Sequence, residues 1–214
     1  MAIDTLVVFG DSWPAGGELQ APTVDAFPEL LSKKLNLRLV NLSQGGTSID
    51  QAVVRFLDNS DKLQNSNSAV LFCLTSIARS MYFSNEHTVE IHPTDTNPTS
   101  LNYYKYIHSK QLSEFNLIRN MLLIQELCDR FGTPVFFVFN WNDTVHHSLL
   151  DQNLVCPESL FNMLDLQNIE QESNKNFSTQ LKLSKYIAPN IAHPNIEGHH
   201  VLSAKIYNWI KEKL

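Results

Sequence analysis

Ser12 stands in the stretch "VFGDSWP" (8–14), where an apolar run, "TLVVF", gives way to Gly10, Asp11 and Ser12. A serine so placed has two readings: it is a turn residue, or it is a nucleophile presented at the end of a strand. A hydroxyl is a poor nucleophile near neutral pH. It needs a base within hydrogen-bond reach, a group that orients the base, and N–H donors for the oxyanion that develops. Residue types suited to these tasks stand in three other blocks. "NLSQGGTS" (41–48) holds Gly45 and Gly46, "LTSIARSMYF" (74–83) holds Ser76 and Arg79, and "NIAHPNIEGHH" (190–200) holds Asn190 and His193.

The elements that must position these blocks follow from hydrophobic patterning. "IDTLVVF" (3–9), "LRLVNLS" (37–43), "SAVLFCLT" (68–75) and "TPVFFVFNW" (133–141) read as short strands, three of them buried. Between them, "DAFPELLSKKLN" (25–36), "SIDQAVVRFLDN" (48–59) and "LSEFNLIRNMLLIQELCDRFG" (112–132) carry helical spacing, and "EGHHVLSAKIYNWIKEKL" (197–214) predicts a terminal helix. Ser48 and Gln51 form a capping-box pattern, and Gly132 is placed to end the longest helix. Apolar strands alternating with amphipathic helices predict a parallel sheet covered on both faces, an α/β fold in three layers. Such sheets bind ligands outside the carboxyl ends of their strands. Three of the four chemical blocks fall there, as does "NWND" (140–143), while "NIAHPNIEGHH" stands just before the terminal helix. Five of the seven glycines (Gly10, Gly16, Gly17, Gly45, Gly46) lie at the ends of the first two strands.

The chain of 214 residues predicts a single domain, with loop insertions at about 80–111 and 144–196 and a short helix around 157–165. It is 43% hydrophobic and 18% charged, and carries a formal net charge of −6 without a basic block. This argues against nucleic acid and anionic membrane surfaces as partners. The opening stretch, "MAIDTLVVFGDS", lacks the basic flank and apolar length of a signal peptide or a membrane span. A cytoplasmic protein is expected, of viral or host origin. Cys73, Cys128 and Cys156 are widely spaced and are expected to be reduced and mostly buried. No metal or organic cofactor is expected. His146 and His147 beside Asp143 do not make a metal site, because adjacent side chains point apart. Tyr103, Tyr104 and Tyr106 form either a platform for a sugar or acyl chain or a half-buried cluster.

Taken together, the blocks resemble one family. "GDS" after the first strand, "N-x-x-x-G-G" after the second and "HPN-x-x-GH" before the last helix are similar to the SGNH, or GDSL-type, hydrolases. "AFPELLSKKL" is similar to that family's first helix. The α/β-hydrolase elbow, G-x-S-x-G, is not matched, since position 14 is Pro. The resemblance implies a three-layer α/β/α sandwich of flavodoxin-like SGNH architecture. It also implies serine-dependent hydrolysis of an ester of a small acyl, lipid, acetyl-sugar or thioester group through an acyl-enzyme. It makes Ser12 the nucleophile and its N–H an oxyanion donor. Gly46 becomes a second donor, with Gly45 as the neighbouring choice of register, and His193 the general base. Asp11 joins the substrate side with the triplet.

Two positions depart from the family pattern. Ile77 falls where an oxyanion Asn is expected, and Ile cannot donate; Ser76 or Arg79 are the nearby substitutes. Asn190 falls where an Asp should orient His193. An amide orients an imidazole but brings no charge to stabilise it. A Ser–His dyad, or a carboxylate from elsewhere such as Asp143, is the consequence. The alternative reading is a catalytically impaired ligand-binding or structural module on the same fold.

Overall fold

The five-residue apolar run before Gly10 is a fully buried strand, and further runs pair with it on both sides. The computed structural model describes residues 2–64, 67–83, 88–141, 147–166, 184–188 and 193–214. In chain order its elements are β1 (Thr5–Phe9), α1 (Ser12–Ala15), α2 (Pro22–Asp25), α3 (Phe27–Leu35), β2 (Arg38–Asn41), α4 (Ile49–Asp58), α5 (Ser60–Gln64), β3 (Ser68–Leu74), β4 (Ser80–Phe83), β5 (Thr88–Ile91), α6 (Pro98–Tyr106), α7 (Lys110–Phe131), β6 (Val135–Phe139), α8 (Leu160–Met163) and α9 (Ile196–Ile210).

The main sheet has the order β2-β1-β3-β6, and every pairing is parallel. Side chains alternate across a strand, and the core divides accordingly. Leu6, Val8, Leu71, Phe136 and Val138 face one way, onto Phe27 and Leu31 of α3, Phe161 of α8 and Leu202 and Ile206 of α9. Val7, Phe9, Phe72, Leu74 and Phe137 face the other way, onto Val53 and Phe56 of α4 and Leu117, Met121 and Ile124 of α7. This is the three-layer α/β/α arrangement expected from the alternating pattern. The chain steps from β1 outward to β2, then crosses back to β3 on the other side of β1. The carboxyl ends of β1 and β3 therefore flank the point where strand order reverses, the place where open α/β sheets bind ligands.

Local signals act as the sequence predicts. Ser48 caps α4 by accepting the N–H of Gln51 at 3.2 Å. Gly132, in left-handed conformation, closes α7. The three cysteines are free and buried, and burial pushes the Cys128 thiol up to about 12, so it stays protonated and inert.

Residues 80–111 depart from the expected loop. The described ones form the antiparallel strand pair β4–β5, helix α6 and the first residues of α7. The strands are only four residues long, too short for a periodicity to stand out. The start of α6 was legible, since Asn97 caps it by accepting the N–H of Ser100 and Pro98 follows. Tyr104 fastens this segment to the sheet: its hydroxyl donates to Ala78 O at 2.6 Å, just beyond β3. Tyr103 packs edge-on against Tyr104, while Tyr106 is exposed. Of residues 144–196, the described part contains a 3₁₀ turn (Gln152–Leu154) and α8, shorter than the helix expected around 157–165.

The last helix is tied to α3 by a buried imidazole. Nδ1 of His199 accepts the N–H of Phe27 at 3.1 Å, and the two rings stack. Burial, with smaller contributions from His193 and His200, lowers its pKa from the usual 6.5 to about 4. In the unfolded chain His199 takes up a proton below about pH 6.5, whereas the folded protein resists it down to about pH 4. Stability is therefore undiminished at neutral pH and falls as pH drops through that window, by on the order of 3 kcal/mol in all. Urea midpoints between pH 7.5 and 4.5 check this: His199→Gln, with an uncharged acceptor, should lose less of its midpoint than the wild type. Equal losses in the two proteins would show that His199 does not set the dependence.

Candidate active site

Strand β1 ends at Phe9, before Gly10, and Asp11 then caps α1, its Oδ1 accepting the N–H of Trp13 at 3.0 Å. Ser12 is the first residue of that short helix and is partly exposed at the sheet edge. Asp11 itself is buried, 2% exposed, and is held by four donors. Trp13 N–H and Asn140 Nδ2 (2.8 Å) reach Oδ1; Thr75 Oγ1 (2.6 Å) and Arg79 Nη1 (3.2 Å) reach Oδ2. The carboxylate thus sits beneath the turn with its acceptor sites filled, and binds the ends of β1, β3 and β6 together.

Past α1 the chain doubles back over Ser12. Gly16 ends the helix in left-handed conformation, and the Gly17 N–H donates to Ser12 O at 2.8 Å. A Cβ on Gly17 would lie 3.1 Å from that oxygen, 3.3 Å from Ser12 Cβ and 3.5 Å from His193 Cδ2, so the backbone must approach closely there. Next comes Glu18, also left-handed at φ 69°. A residue with a Cβ held in that region is strained by about 1–2 kcal/mol, and such strain clusters at functional sites. Although its backbone lies on an outer bend, its side chain is only 17% exposed.

That side chain meets His193. Nδ1 of His193 lies 2.8 Å from Glu18 Oε1, and Nε2 lies 2.8 Å from Ser12 Oγ. With Glu18 ionised, Nδ1–H donates to it, leaving Nε2 as acceptor for the Ser12 hydroxyl. Ser12 and His193 are therefore in contact across nearly the whole chain. Glu18, which no sequence block singled out, holds the far side of the imidazole. Its sequence context, a carboxylate directly after two glycines and six positions beyond the serine, marks a turn and does not by itself point to the imidazole. Asn190, together with Asp143 and His146, lies outside the described residues.

The loop after β2 forms the opposite wall. Asn41 Nδ2 donates to Pro14 O at 2.8 Å, and Arg55 on α4 donates to Leu42 O and to Gln44 Oε1. A Cβ on Gly45 would stand 3.8 Å from Ser12 Cβ, and Gly46 is left-handed at φ 77°. Among the described residues the N–H groups of Ser12, Gly45 and Gly46 have no acceptor. From above, Glu90 Oε2 accepts the N–H of Ser48 at 3.1 Å, and burial raises the pKa of that carboxyl. Arg79 Nη1 bonds Asp11, Thr75 Oγ1 and Thr47 O. It thus braces both walls, with no described contact to Ser12 or His193. Ser76 Oγ accepts the N–H of Ala78 at the end of β3, and Ile77 packs into the core beside α4 and α7. Among the described residues no three His, Cys, Asp or Glu side chains stand together as metal ligands, and no helix is long and apolar enough to cross a membrane.

The parallel sheet and the helices that cover it have clear counterparts among known structures: the chain has the fold of the SGNH, or GDSL-type, hydrolases. One counterpart is TesA, with a TM-score of 0.54 and 15% identity over 99% of this chain and 100% of that one. Another is the psychrotrophic esterase EstA from Pseudoalteromonas sp., in a structure inhibited by monoethylphosphonate (TM-score 0.51, 13% identity, 98% of each chain). A third is the acetyl xylan esterase Est2A from the rumen bacterium Butyrivibrio proteoclasticus (TM-score 0.53, 12% identity, 100% of this chain and 65% of that one). The likeness is one of fold. No protein-family model matches the sequence, and no curated protein does.

Proposed function

We propose that the protein is a serine-dependent acyl-hydrolase acting on a small-molecule ester through a Ser12–His193–Glu18 triad. The observation that carries this reading is the single imidazole that bridges Ser12 Oγ and the Glu18 carboxylate, 2.8 Å from each. Ser12 Oγ attacks the ester carbonyl carbon as Nε2 of His193 takes its proton. The oxyanion is held by the N–H groups of Ser12 and Gly46, with Gly45 adjacent. Collapse breaks the bond to the alcohol, which leaves with the proton from His193. Water then attacks the acyl-serine, passing its proton to His193. The second collapse releases the acid and restores Ser12. Glu18 fixes the imidazole tautomer and stabilises the imidazolium in both halves. The ester chemistry named for the structural neighbours supports this choice of reaction.

The binding-module reading drew on two departures from the family pattern. Glu18 removes one of them, because a carboxylate stands behind His193 whatever Asn190 does. A fluorophosphonate tests the proposal. Intact mass should show one adduct on the wild type, mapped to Ser12, and none on Ser12→Ala. Correctly folded wild type that takes up no label would rule the proposal out.

A further inference from the structure

The third wall of the site comes from the β4–β5 hairpin, where sequence reasoning expected a loop. Ser80 pairs with Ile91, so Arg79 and His92 flank the same end of the hairpin, the end that meets the glycine loop. Arg79 and Glu90 hold the backbone of that loop at Thr47 and Ser48. His92 has a different position. Its backbone is fixed in a tight turn, N–H to Asp95 Oδ2 at 2.9 Å and C=O to the N–H of Asp95 at 3.1 Å. Its ring turns the Cε1–Nε2 edge toward Gly46: a Cβ built there would lie 3.9 Å from Cε1 and 4.0 Å from Nε2. Neither ring nitrogen has a hydrogen-bond partner among the described residues. The ring is half-buried and poised at an oxyanion donor.

The Gly46 amide nitrogen lies about 2.5 Å from that Cβ position by standard bond geometry. An oxygen accepting the Gly46 N–H is thus within reach of the His92 ring. Ile77, which falls where a side-chain donor is expected, has none, and Nη1 of Arg79 is turned to Asp11, Thr75 and Thr47. We propose that His92 is the side-chain donor of the oxyanion site, its Nε2–H binding the oxygen that the N–H groups of Ser12 and Gly46 also bind. This rests on the acyl-hydrolase reading and adds to it a residue from outside the three motif blocks.

Hydrolysis of p-nitrophenyl acetate tests the assignment. His92→Ala should lower kcat by about 10²–10³-fold, the usual effect of losing one oxyanion donor, with KM within about threefold of wild type. His92→Gln, which keeps a donor of similar reach, should recover part of the loss. His92→Phe, which keeps the bulk without a donor, should not. Phosphonylation of Ser12 should slow in His92→Ala and still reach one equivalent, showing an intact nucleophile. An active wild type with kcat of His92→Ala and His92→Phe within threefold of it overturns the role of His92 alone. A wild type that neither hydrolyses the ester nor takes up the label overturns the hydrolase reading and this inference with it.

Discussion

Glu18→Gln should lower kcat for ester hydrolysis by about 10²–10³-fold while leaving the fold intact. The corresponding Asp-to-Asn change in the serine-protease triad lowers turnover by about 10⁴. A smaller effect is expected here, because the Glu18 and His193 side chains are 17% and 21% exposed and water partly takes over. Glutamine can present its amide N–H to Nδ1, which forces the proton onto Nε2 and leaves Ser12 without a base. Glu18→Gly separates catalysis from structure. Glycine adopts φ 69° freely, so this variant should lose activity like Glu18→Gln and yet melt no lower than wild type. Steady-state kinetics beside thermal melts read both effects. A Glu18→Gln enzyme within threefold of wild type would remove Glu18 from the mechanism.

Asp11→Ala is the substitution with the largest expected effect on stability. It orphans the partly buried Arg79 guanidinium, the Asn140 amide and the Thr75 hydroxyl, and removes the cap of α1. Breaking one side of a buried ion pair costs about 3–5 kcal/mol. At roughly 2–4 °C per kcal/mol for a chain of this size, the melting temperature should fall by on the order of 10 °C. Adding Arg79→Met should return part of that loss, since it removes the stranded charge. A single variant that melts within about 2 °C of wild type would mean that the four-donor network carries little of the fold. Phosphonylation of Ser12 should slow in parallel, because Asp11 positions the helix that presents the serine.

The layers of the fold were legible because their signals are local. β1, β3 and β6 are continuous apolar runs, and the caps of α4 and α7 are short patterns in the sequence. Ser12 and His193 were legible for another reason: each stands beside an element boundary that a motif marks. Glu18 and His92 were not. Glu18 reaches the imidazole only because Gly16 and Gly17 fold the chain back, and that path depends on backbone angles rather than on residue types. His92 arrives on a hairpin of four-residue strands, whose pairing with each other and against the glycine loop is a tertiary event. Arg79 was singled out for its charge, yet the partner it meets, Asp11, comes from a strand end 68 positions away.

The bond from Phe27 N–H to His199 has a further consequence, for local opening of the protein. On the proposed mechanism the hydroxyl and the carboxylate stand at positions 12 and 18, on the turn that follows β1. The imidazole that joins them comes from 175 positions beyond Glu18, just before α9, and α9 is held on α3 through His199. Undocking of α9 alone would therefore part the base from the nucleophile and silence the site while the strands of the sheet stay paired.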